Sequence, residues 1–156
     1  MSDLPSPPSP ESQESLTTEN LNTEDSPIDR IRLSSQAKNQ LIKLKRITNI
    51  EHWNVLCRWA FCRSLAEPHK PAPYNPPADS NLEMTWETFA GELGEILLLA
   101  LIYRCHKDGL PTDPETLKQQ FRLHLHRGIG YLAAEYEVKK LTHFIQLVFR
   151  ENKDTD

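Results

Sequence analysis

Five prolines between residues 68 and 81 place the strongest constraint on how this chain can fold. The stretch PHKPAPYNPPADSN carries them at spacings that interrupt both a continuous helix and a central strand. We therefore predict a loop here, with one structured segment before it and another after it. The chain has 156 residues, 38% of them hydrophobic, which fits one domain built from both segments plus a tail.

The segment before this loop has the pattern of a strand followed by two helices. IDRIRLS, residues 28–34, alternates apolar and basic side chains as a short strand does, and the serines that follow can cap a helix. Apolar residues then recur every three or four positions over 37–48, which indicates one buried helix face. Asn49 tolerates the left-handed conformation found at helix ends, and a second helix is predicted over about 51–67.

The segment after the loop has the pattern of three helices. The first is predicted to start near residue 80 or 85 and to end at residue 106. Its predicted buried residues are Phe89, Leu93, Ile96, Leu97, Ala100, Leu101 and Cys105. Asp113 and Pro114 are a favourable cap and first position for the second helix, which Gly128 is expected to end. The third is predicted over about 131–150.

The predicted fold class is mainly α, a compact helical domain over residues 28–150 with a short strand at its start. Residues 1–27 hold six acidic residues, no lysine or arginine and few apolar ones, so we predict a disordered acidic tail. Residues 151–156 are predicted to be a flexible C-terminus. The N-terminus lacks the pattern of a secretory signal, and the run ILLLALIY is too short for a membrane span, so the expected location is the cytoplasm.

Residues 121–132, FRLHLHRGIGYL, are a candidate functional site, because two histidines and an arginine precede a Gly-X-Gly. A metal site is the first interpretation. On a helix, however, His124 and His126 point about 200° apart, whereas a helical metal pair needs a spacing of three or four residues. Neither the cysteines nor His106 have a metal-ligand spacing to them. No metal site is predicted.

The Gly-X-Gly in the same stretch also suggests a nucleotide-binding loop. Such a loop follows a strand or has the form GxxxxGK[ST], and this one follows a predicted helix. Gly128 and Gly130 are better explained as a tight reversal between two helices. Arg127 would then lie beside the N-terminus of the last helix, where an anion is favoured, and is predicted to contact phosphate.

Basic and acidic residues are strongly segregated along the chain. Residues 28–70 have nine basic and three acidic residues, 71–117 have two and eight, and 118–150 have six and two. Basic first and last segments indicate a surface for a polyanion, most simply the phosphates of DNA. The alternative is that the lysines only solvate helix surfaces. The predicted DNA-binding residues are Arg30, Arg32, Lys38, Lys43, Lys45, Arg46 and Arg127.

A strand followed by two helices resembles the start of the ribbon-helix-helix family of DNA-binding domains. The resemblance covers about 40 residues. It implies that two chains pair their strands into a ribbon that enters the major groove, with Arg30 and Arg32 facing base edges. Ser34 or the start of the second helix near Glu51 would then lie against the DNA backbone. Glu51 departs from the pattern because it brings a negative charge close to phosphate.

Cys57, Cys62 and Cys105 form neither a disulfide framework nor a CxxC pair. All three have apolar neighbours in predicted helices, so we expect reduced cysteines in the core.

Three longer stretches carry a second and more specific resemblance. They are HWNVLCRWAFCRSLAEP (52–68), SNLEMTWETFAGELGEI (80–96) and KQQFRLHLHRGIGYLA (118–133), and they resemble the DndE family of DNA sulfur-modification, or phosphorothioation, systems. Over about residues 28–134, the resemblance implies a small DNA-associated protein that forms an oligomer, specifically a tetramer. It also implies a machine that replaces a non-bridging phosphate oxygen of DNA with sulfur. The implied partners are a cysteine desulfurase, an iron-sulfur sulfurtransferase-like component and an SMC-like ATPase.

Two classes of function are therefore carried forward. The first is a DNA-binding, oligomer-forming accessory protein without a cofactor, which holds duplex DNA, including nicked DNA, for catalytic partners. The alternative is an enzyme of the same pathway, either a nuclease that nicks the backbone or a carrier of sulfur as a cysteine persulfide. The first is favoured because the acidic residues of 71–117 form no metal-binding motif and the cysteines have apolar helical neighbours. Arg58 and Arg63 follow Cys57 and Cys62 directly, so the sulfur carrier stays open as an alternative. No catalytic residue is predicted.

Overall fold

The computed structural model describes residues 26–151, so residues 1–25 of the tail predicted over 1–27, and residues 152–156 of the C-terminus predicted over 151–156, lie outside the described residues. The fold is mainly helical, as predicted, and contains one small antiparallel sheet. In chain order the elements are β1 (Arg30–Arg32), α1 (Ser35–Thr48), α2 (Trp53–Ala66), β2 (Glu83–Thr85), α3 (Trp86–Ala90), α4 (Gly94–Lys107) and α5 (Pro114–Glu151). A turn of 3-10 helix, Gly91–Leu93, joins α3 to α4.

Local chemistry sets both ends of α1, as the sequence predicts. The Ser34 hydroxyl accepts a hydrogen bond from the Ala37 N–H at 3.1 Å and caps the first turn. Asn49 ends the helix in the left-handed conformation at φ 58°. The helix buries Ala37, Leu41 and Leu44, and its basic residues therefore lie off the buried face.

β1 pairs with β2 of the same chain, with Ile31 opposite Met84. The predicted ribbon between two chains is therefore wrong. The other edge of β1 is also occupied, because the Arg122 side chain donates to the Arg32 carbonyl at 2.8 Å and the Ser34 N–H donates to His126 at 3.2 Å. The proline-rich loop returns the chain to β1, where Glu83–Thr85 pairs as a strand that the sequence analysis did not predict.

The single long helix predicted after the loop is interrupted. It begins at Trp86, where Thr85 caps it as expected, but Gly91 adopts φ 55° and separates α3 from α4. Because the break changes the rotation of the helix, Leu93 and Ile96 are exposed, and the prediction that they are buried is wrong. Leu98 is buried instead.

An aromatic cluster at the centre of the core joins α2, α3 and α5. The Phe61 and Phe121 rings lie 5.1 Å apart, and Phe121 also contacts Trp86 at 5.5 Å. Phe89 completes the cluster at 5.8 Å from Phe61. The contacts of Phe61 with Phe89 and of Phe121 with Trp86 are edge-on, and such contacts add to the free energy gained by burying the rings.

α5 is one continuous helix of 38 residues, so the reversal predicted at Gly128 and Gly130 is wrong. Gly128 is required for close packing. A Cβ atom there would lie 1.7 Å from the Ala60 carbonyl oxygen of α2, whereas a Cβ at Gly130 meets nothing within 4 Å. α2 and α5 pack most extensively of all the elements, and this glycine permits their approach. Over residues 26–151 no helix combines the length and apolarity needed to cross a membrane.

Candidate nucleic-acid interface

Arg30 and Arg32 lie on the exposed side of β1, since Ile31 between them points into the core. Both are paired with Glu83 on β2, Arg30 at 3.2 Å and Arg32 at 2.9 Å. Their hydrogen bonds, that of Arg32 first, lower the pKa of the Glu83 carboxyl below its usual range. Two guanidinium groups share one carboxylate, so the strand keeps a net positive charge and several unused N–H donors.

Two of the predicted lysines on α1 have partners within the chain. Lys38 and Lys45 are two helical turns apart and occupy one flank of the helix. The Lys38 ammonium donates a hydrogen bond to the Asn81 side chain, and Lys45 lies over the Trp53 ring, 4.1 Å from its centre. Both are half-buried, and neither is neutralised by an acidic side chain among the described residues.

Lys43 and Arg46 are the predicted DNA-binding cations of α1 that have no partner within the described part of the chain. Both are exposed in the second half of α1. Within residues 26–151, neither takes part in an ion pair or a side-chain hydrogen bond. A cation without a partner can reach a phosphate without first giving up an existing contact. We call the six residues on β1 and α1 the basic surface: Arg30, Arg32, Lys38, Lys43, Lys45 and Arg46.

A cavity of about 210 Å³ opens beside β1 and adds two cations that the sequence analysis missed. Arg30, Lys118 and Arg122 line it together with apolar side chains that include Phe121. Lys118 is exposed and only weakly paired with Glu115, at 3.5 Å. The sequence signal was the basic composition of 118–150, but only the packing of α5 against β1 shows which of its cations adjoin the basic surface.

Arg127 lies apart from the basic surface. It is in the middle of α5, so the expectation of a helix N-terminus beside it is wrong. Its guanidinium donates to the Ser64 hydroxyl at 2.7 Å, to the Ser64 carbonyl at 2.8 Å and to the His69 carbonyl at 2.6 Å. Burial lowers the pKa of Arg127. The group therefore holds the C-terminal end of α2 to α5, and a contact with phosphate would compete with these bonds.

Arg104, like Arg127, donates to backbone carbonyls at the end of α2, and the sequence analysis did not predict this role. It is buried beside Asp108, with 2.9 Å between Nε and the carboxylate. Its other nitrogens donate to the carbonyls of residues 65 and 67–69, the last turn of α2 and the start of the loop. We call Arg104 and Arg127 the inward arginines, because their donors satisfy backbone carbonyls that a helix end would otherwise leave unpaired.

The two histidines of FRLHLHRGIGYL face different partners, as their spacing predicts. His124 is fully buried and lies 2.9 Å from the Ser64 hydroxyl, while His126 contacts the Ser34 N–H. Burial, followed by the Arg127 and Arg104 charges, lowers the pKa of His124 to about 4. The Ser64–His124 pair has no exposed surface, so a polymer substrate does not reach it. Among residues 26–151 no three His, Cys, Asp or Glu side chains are grouped as metal ligands.

Comparison with known proteins identifies the family. The model of the family described as DNA sulphur modification protein DndE matches residues 30–140. The chain belongs to the DndE family. This confirms the resemblance found in the three sequence stretches.

Two solved structures are similar to the chain. The crystal structure of DndE from Escherichia coli B7A, involved in DNA phosphorothioation modification, is 28% identical and has a TM-score of 0.56. A DndE variant with glycines replaced by lysine, also involved in DNA phosphorothioation, is 28% identical with a TM-score of 0.51. Each comparison covers 67% of this chain and 95% of the other. No curated protein matches the chain.

The cysteines bear on whether this DndE family member could carry sulfur. Cys57 and Cys105 are buried, as expected, and burial raises the pKa of Cys57 to about 12. Cys62 is exposed, so the expectation that it lies in the core is wrong. Five positions along α2 place it about 140° around the helix from Cys57. Partial burial raises its pKa, and the nearby Arg58 charge offsets this only in part.

Proposed function

We propose that the chain is a DNA-binding accessory protein of DNA phosphorothioation, which holds duplex DNA by its phosphates for catalytic partners. The observation that carries the proposal is the basic surface, six cations on β1 and α1 against the single carboxylate of Glu83. Two of its exposed members, Lys43 and Arg46, take part in no ion pair or side-chain hydrogen bond within the described residues. The membership of a DNA sulphur modification family supports DNA as the polyanion.

The binding mode is electrostatic. The cations of α1 span about 12 Å of helix axis. Lys38, Lys45 and Arg46 lie within about 100° of one another around it and reach several phosphates together, while Lys43 extends the surface farther round the helix. Arg30 and Arg32 each use one nitrogen on Glu83, which leaves other N–H donors for phosphate oxygens. Because β1 pairs with β2, these two arginines act as backbone contacts in this proposal, and the base contacts of a two-chain ribbon are not part of it.

We also propose that the chain self-associates and acts beside the other proteins of the sulfur-modification machinery. The homotetramer, the iron-sulfur sulfurtransferase-like component and the SMC-like ATPase are the partners that the family resemblance implies. Support for self-association comes from large apolar side chains exposed on α4 and on the end of α5.

An enzymatic role is the second candidate, and the exposed thiol of Cys62 is the observation that favours a persulfide carrier. Its raised pKa disfavours the thiolate that such chemistry needs. Alkylation of the native protein separates the two proposals. A fast reaction at Cys62 together with loss of sulfur incorporation would favour the carrier, while retained incorporation after full alkylation would exclude it.

The DNA-binding proposal is tested by alanine substitution at each position of the basic surface, with binding measured on intact, nicked and single-stranded DNA. Each substitution is expected to weaken binding of every sequence and to reduce the salt dependence by roughly one unit of slope. Lys107→Ala is the matched control, because Lys107 is an exposed cation of α4, outside the basic surface. Six substitutions that leave affinity unchanged would exclude the surface.

A further inference from the structure

The backbone of β1 has hydrogen-bonding groups on two edges, and one edge faces α5. In an antiparallel pair, the N–H and C=O groups of alternate residues point to the partner strand, and those of the residues between them point to the other edge. The Asp29 carbonyl and the Leu33 N–H both form hydrogen bonds on the β2 side. The backbone groups of Arg30 and Arg32 therefore lie on the edge that faces α5.

Side chains of α5 pair with only part of this edge. Arg122 donates to the Arg32 carbonyl at 2.8 Å, and the Ser34 N–H donates to His126 at 3.2 Å. Among residues 26–151, no group forms a hydrogen bond with the Arg30 N–H, the Arg30 carbonyl or the Arg32 N–H. Backbone groups beside a core are seldom left unpaired, so water or a ligand must supply the missing partners.

The cavity beside β1 opens at these unpaired groups. Its lining joins residues 28–31 to Lys118, Phe121 and Arg122, which share one face of α5. Ile28 and Ile31 make the β1 side of the lining partly apolar. The volume of about 210 Å³ corresponds to about seven water molecules at ~30 Å³ each. This is room for one planar ring system such as a nucleobase, and too little for two.

We propose that this cavity receives a single nucleotide, with its base in the cavity and its phosphate at the rim. The Arg30 carbonyl and the Arg32 N–H offer the base an acceptor and a donor on one edge. A nucleobase carries donors beside acceptors on its own edge, so it matches this arrangement, while its faces contact the apolar lining. The phosphate lies outside the cavity against the side chains of Arg30 and Lys118.

The charges in the lining favour a phosphate at the rim. Arg30, Lys118 and Arg122 contribute three cations, against the single carboxylate of Asp29. The Lys118 side chain is 48% exposed and has only a weak contact with Glu115, so it reaches a phosphate at little cost. Arg122 is held by the carbonyls of residues 32 and 76 and contributes its charge from a fixed position.

Bound DNA and free nucleotide are two sources of this chemistry. Arg30 belongs both to the basic surface and to the lining of the cavity, so a base displaced from DNA on that surface has a short distance to move. This source rests on the DNA binding proposed above. A base that already lacks its pairing partner is displaced at the lowest cost, because less stacking and pairing is lost. DNA with one unpaired base is therefore the ligand expected to fill the cavity.

The test compares two duplexes that differ at one position. In the first, 2-aminopurine lies opposite an abasic site and is unpaired; in the second, it is paired with thymine. The full chain is expected to bind the first duplex roughly tenfold more tightly, and 2-aminopurine emission should change on binding as the base leaves the stack. The free deoxynucleotide of 2-aminopurine, titrated separately and followed by fluorescence anisotropy, tests the second source.

Two substitutions locate the effect. Ile28→Phe fills the cavity and is expected to abolish the preference for the unpaired duplex. Lys118→Gln removes a cation at the rim and should reduce the preference about threefold, with the paired duplex bound as before. Lys107→Gln, an exposed lysine of α4, is the matched control and should keep the full preference. Circular dichroism checks each fold, and Lys118→Gln decides the matter if Ile28→Phe does not fold.

The outcomes separate this inference from the proposed function. Equal affinity for the two duplexes, without binding of the free nucleotide, would overturn the cavity as a nucleotide site. A preference that survives both substitutions would do the same, because the unpaired base would then lie elsewhere. Free nucleotide that binds only while the cavity is unfilled, with the duplexes bound equally, would support the site and assign it to free nucleotide. Failure to bind either duplex would overturn the DNA-binding proposal and the DNA source together.

Discussion

The two groups of cations in this domain have opposite roles. The basic surface presents its charges to solvent, with one carboxylate shared between two arginines. The inward arginines, 104 and 127, direct theirs at carbonyls at the end of α2 and the start of the loop. In the sequence both groups are simply basic residues. The difference teaches that cations buried against backbone carbonyls should not be counted as DNA contacts, and that their loss should change stability first.

The packing that brings α5 against α2 can be broken most severely at Gly128. Gly128→Ala places a Cβ within 1.7 Å of the Ala60 carbonyl oxygen, so the helices must separate. We expect a loss of more than about 4 kcal/mol in the free energy of unfolding, or failure to fold. Gly130→Ala is the matched control, since it meets nothing within 4 Å and should be neutral or stabilising by up to about 1 kcal/mol. Equal urea midpoints for the two variants would contradict the account.

Arg104→Ala tests the inward arginines directly. It leaves Asp108 buried without its ion-pair partner and several carbonyls without a donor. We expect a loss of about 3 to 5 kcal/mol in the free energy of unfolding, measured with denaturant. Arg46→Ala, a change of the same type on the basic surface, should stay within about 0.5 kcal/mol. Similar losses for both would remove the distinction between the two groups.

Burial of His124, reinforced by the charges of the inward arginines, also predicts a pH dependence of stability. The unfolded chain protonates His124 near pH 6.5, whereas the folded chain does so only near 4. Stability is therefore complete above 6.5 and falls as the pH decreases towards 4, by roughly 3 kcal/mol. His124→Gln should flatten the slope of unfolding free energy against pH in this window, whatever its effect at pH 7. His143→Gln, at an exposed position, should keep the wild-type slope, and a wild-type slope in His124→Gln would refute the assignment.

Glu83→Gln should strengthen the binding of DNA to the basic surface. The substitution removes the carboxylate shared by Arg30 and Arg32 and frees both guanidinium groups for phosphate. We expect DNA affinity at low salt to rise roughly fivefold. The control is Glu87→Gln, an exposed carboxylate that forms no ion pair among the described residues. If both variants bind DNA equally, Glu83 does not limit these arginines.

The smallest effect is expected from the acidic N-terminal segment. Residues 1–25 carry six acidic residues and no basic one, next to a segment of net positive charge. A tethered polyanion competes with DNA for the basic surface, so deletion of residues 2–25 should tighten binding about twofold to threefold at low salt. The difference should vanish at high salt, because salt screens the competition. Identical titrations at low salt would leave the segment without a role in binding.

Features decided by local chemistry could be predicted from the sequence. Ser34 and Asn49 bound α1 where expected, and Asp113 with Pro114 starts α5, because caps and left-handed ends depend on a few neighbouring residues. Features decided by packing could not. The Gly-X-Gly at Gly128 is typical of a turn. Gly128 instead lies within a helix and permits close packing against Ala60, 68 positions earlier in the chain.

The candidate site shows the same division. Charge segregation located the basic surface, and its six residues lie on β1 and α1 as expected. Arg127 also lies in a basic segment of the sequence, but its side chain donates hydrogen bonds to α2 and to the proline-rich loop. Lys118 and Arg122 adjoin β1 only because α5 packs beside it. Which cations face solvent is a property of tertiary structure, and no pattern within a single segment reveals it.

The salt dependence of DNA affinity tests the central claim most directly. The measurement compares the wild-type chain with a variant in which all six residues of the basic surface are replaced by glutamine. The account predicts that the logarithm of the wild-type affinity falls against the logarithm of salt concentration with a slope of about −5, from roughly six phosphate contacts. The variant should be folded, bind weakly and show a slope near zero. A variant that keeps the wild-type slope would contradict the account, because its phosphate contacts would then lie elsewhere on the molecule.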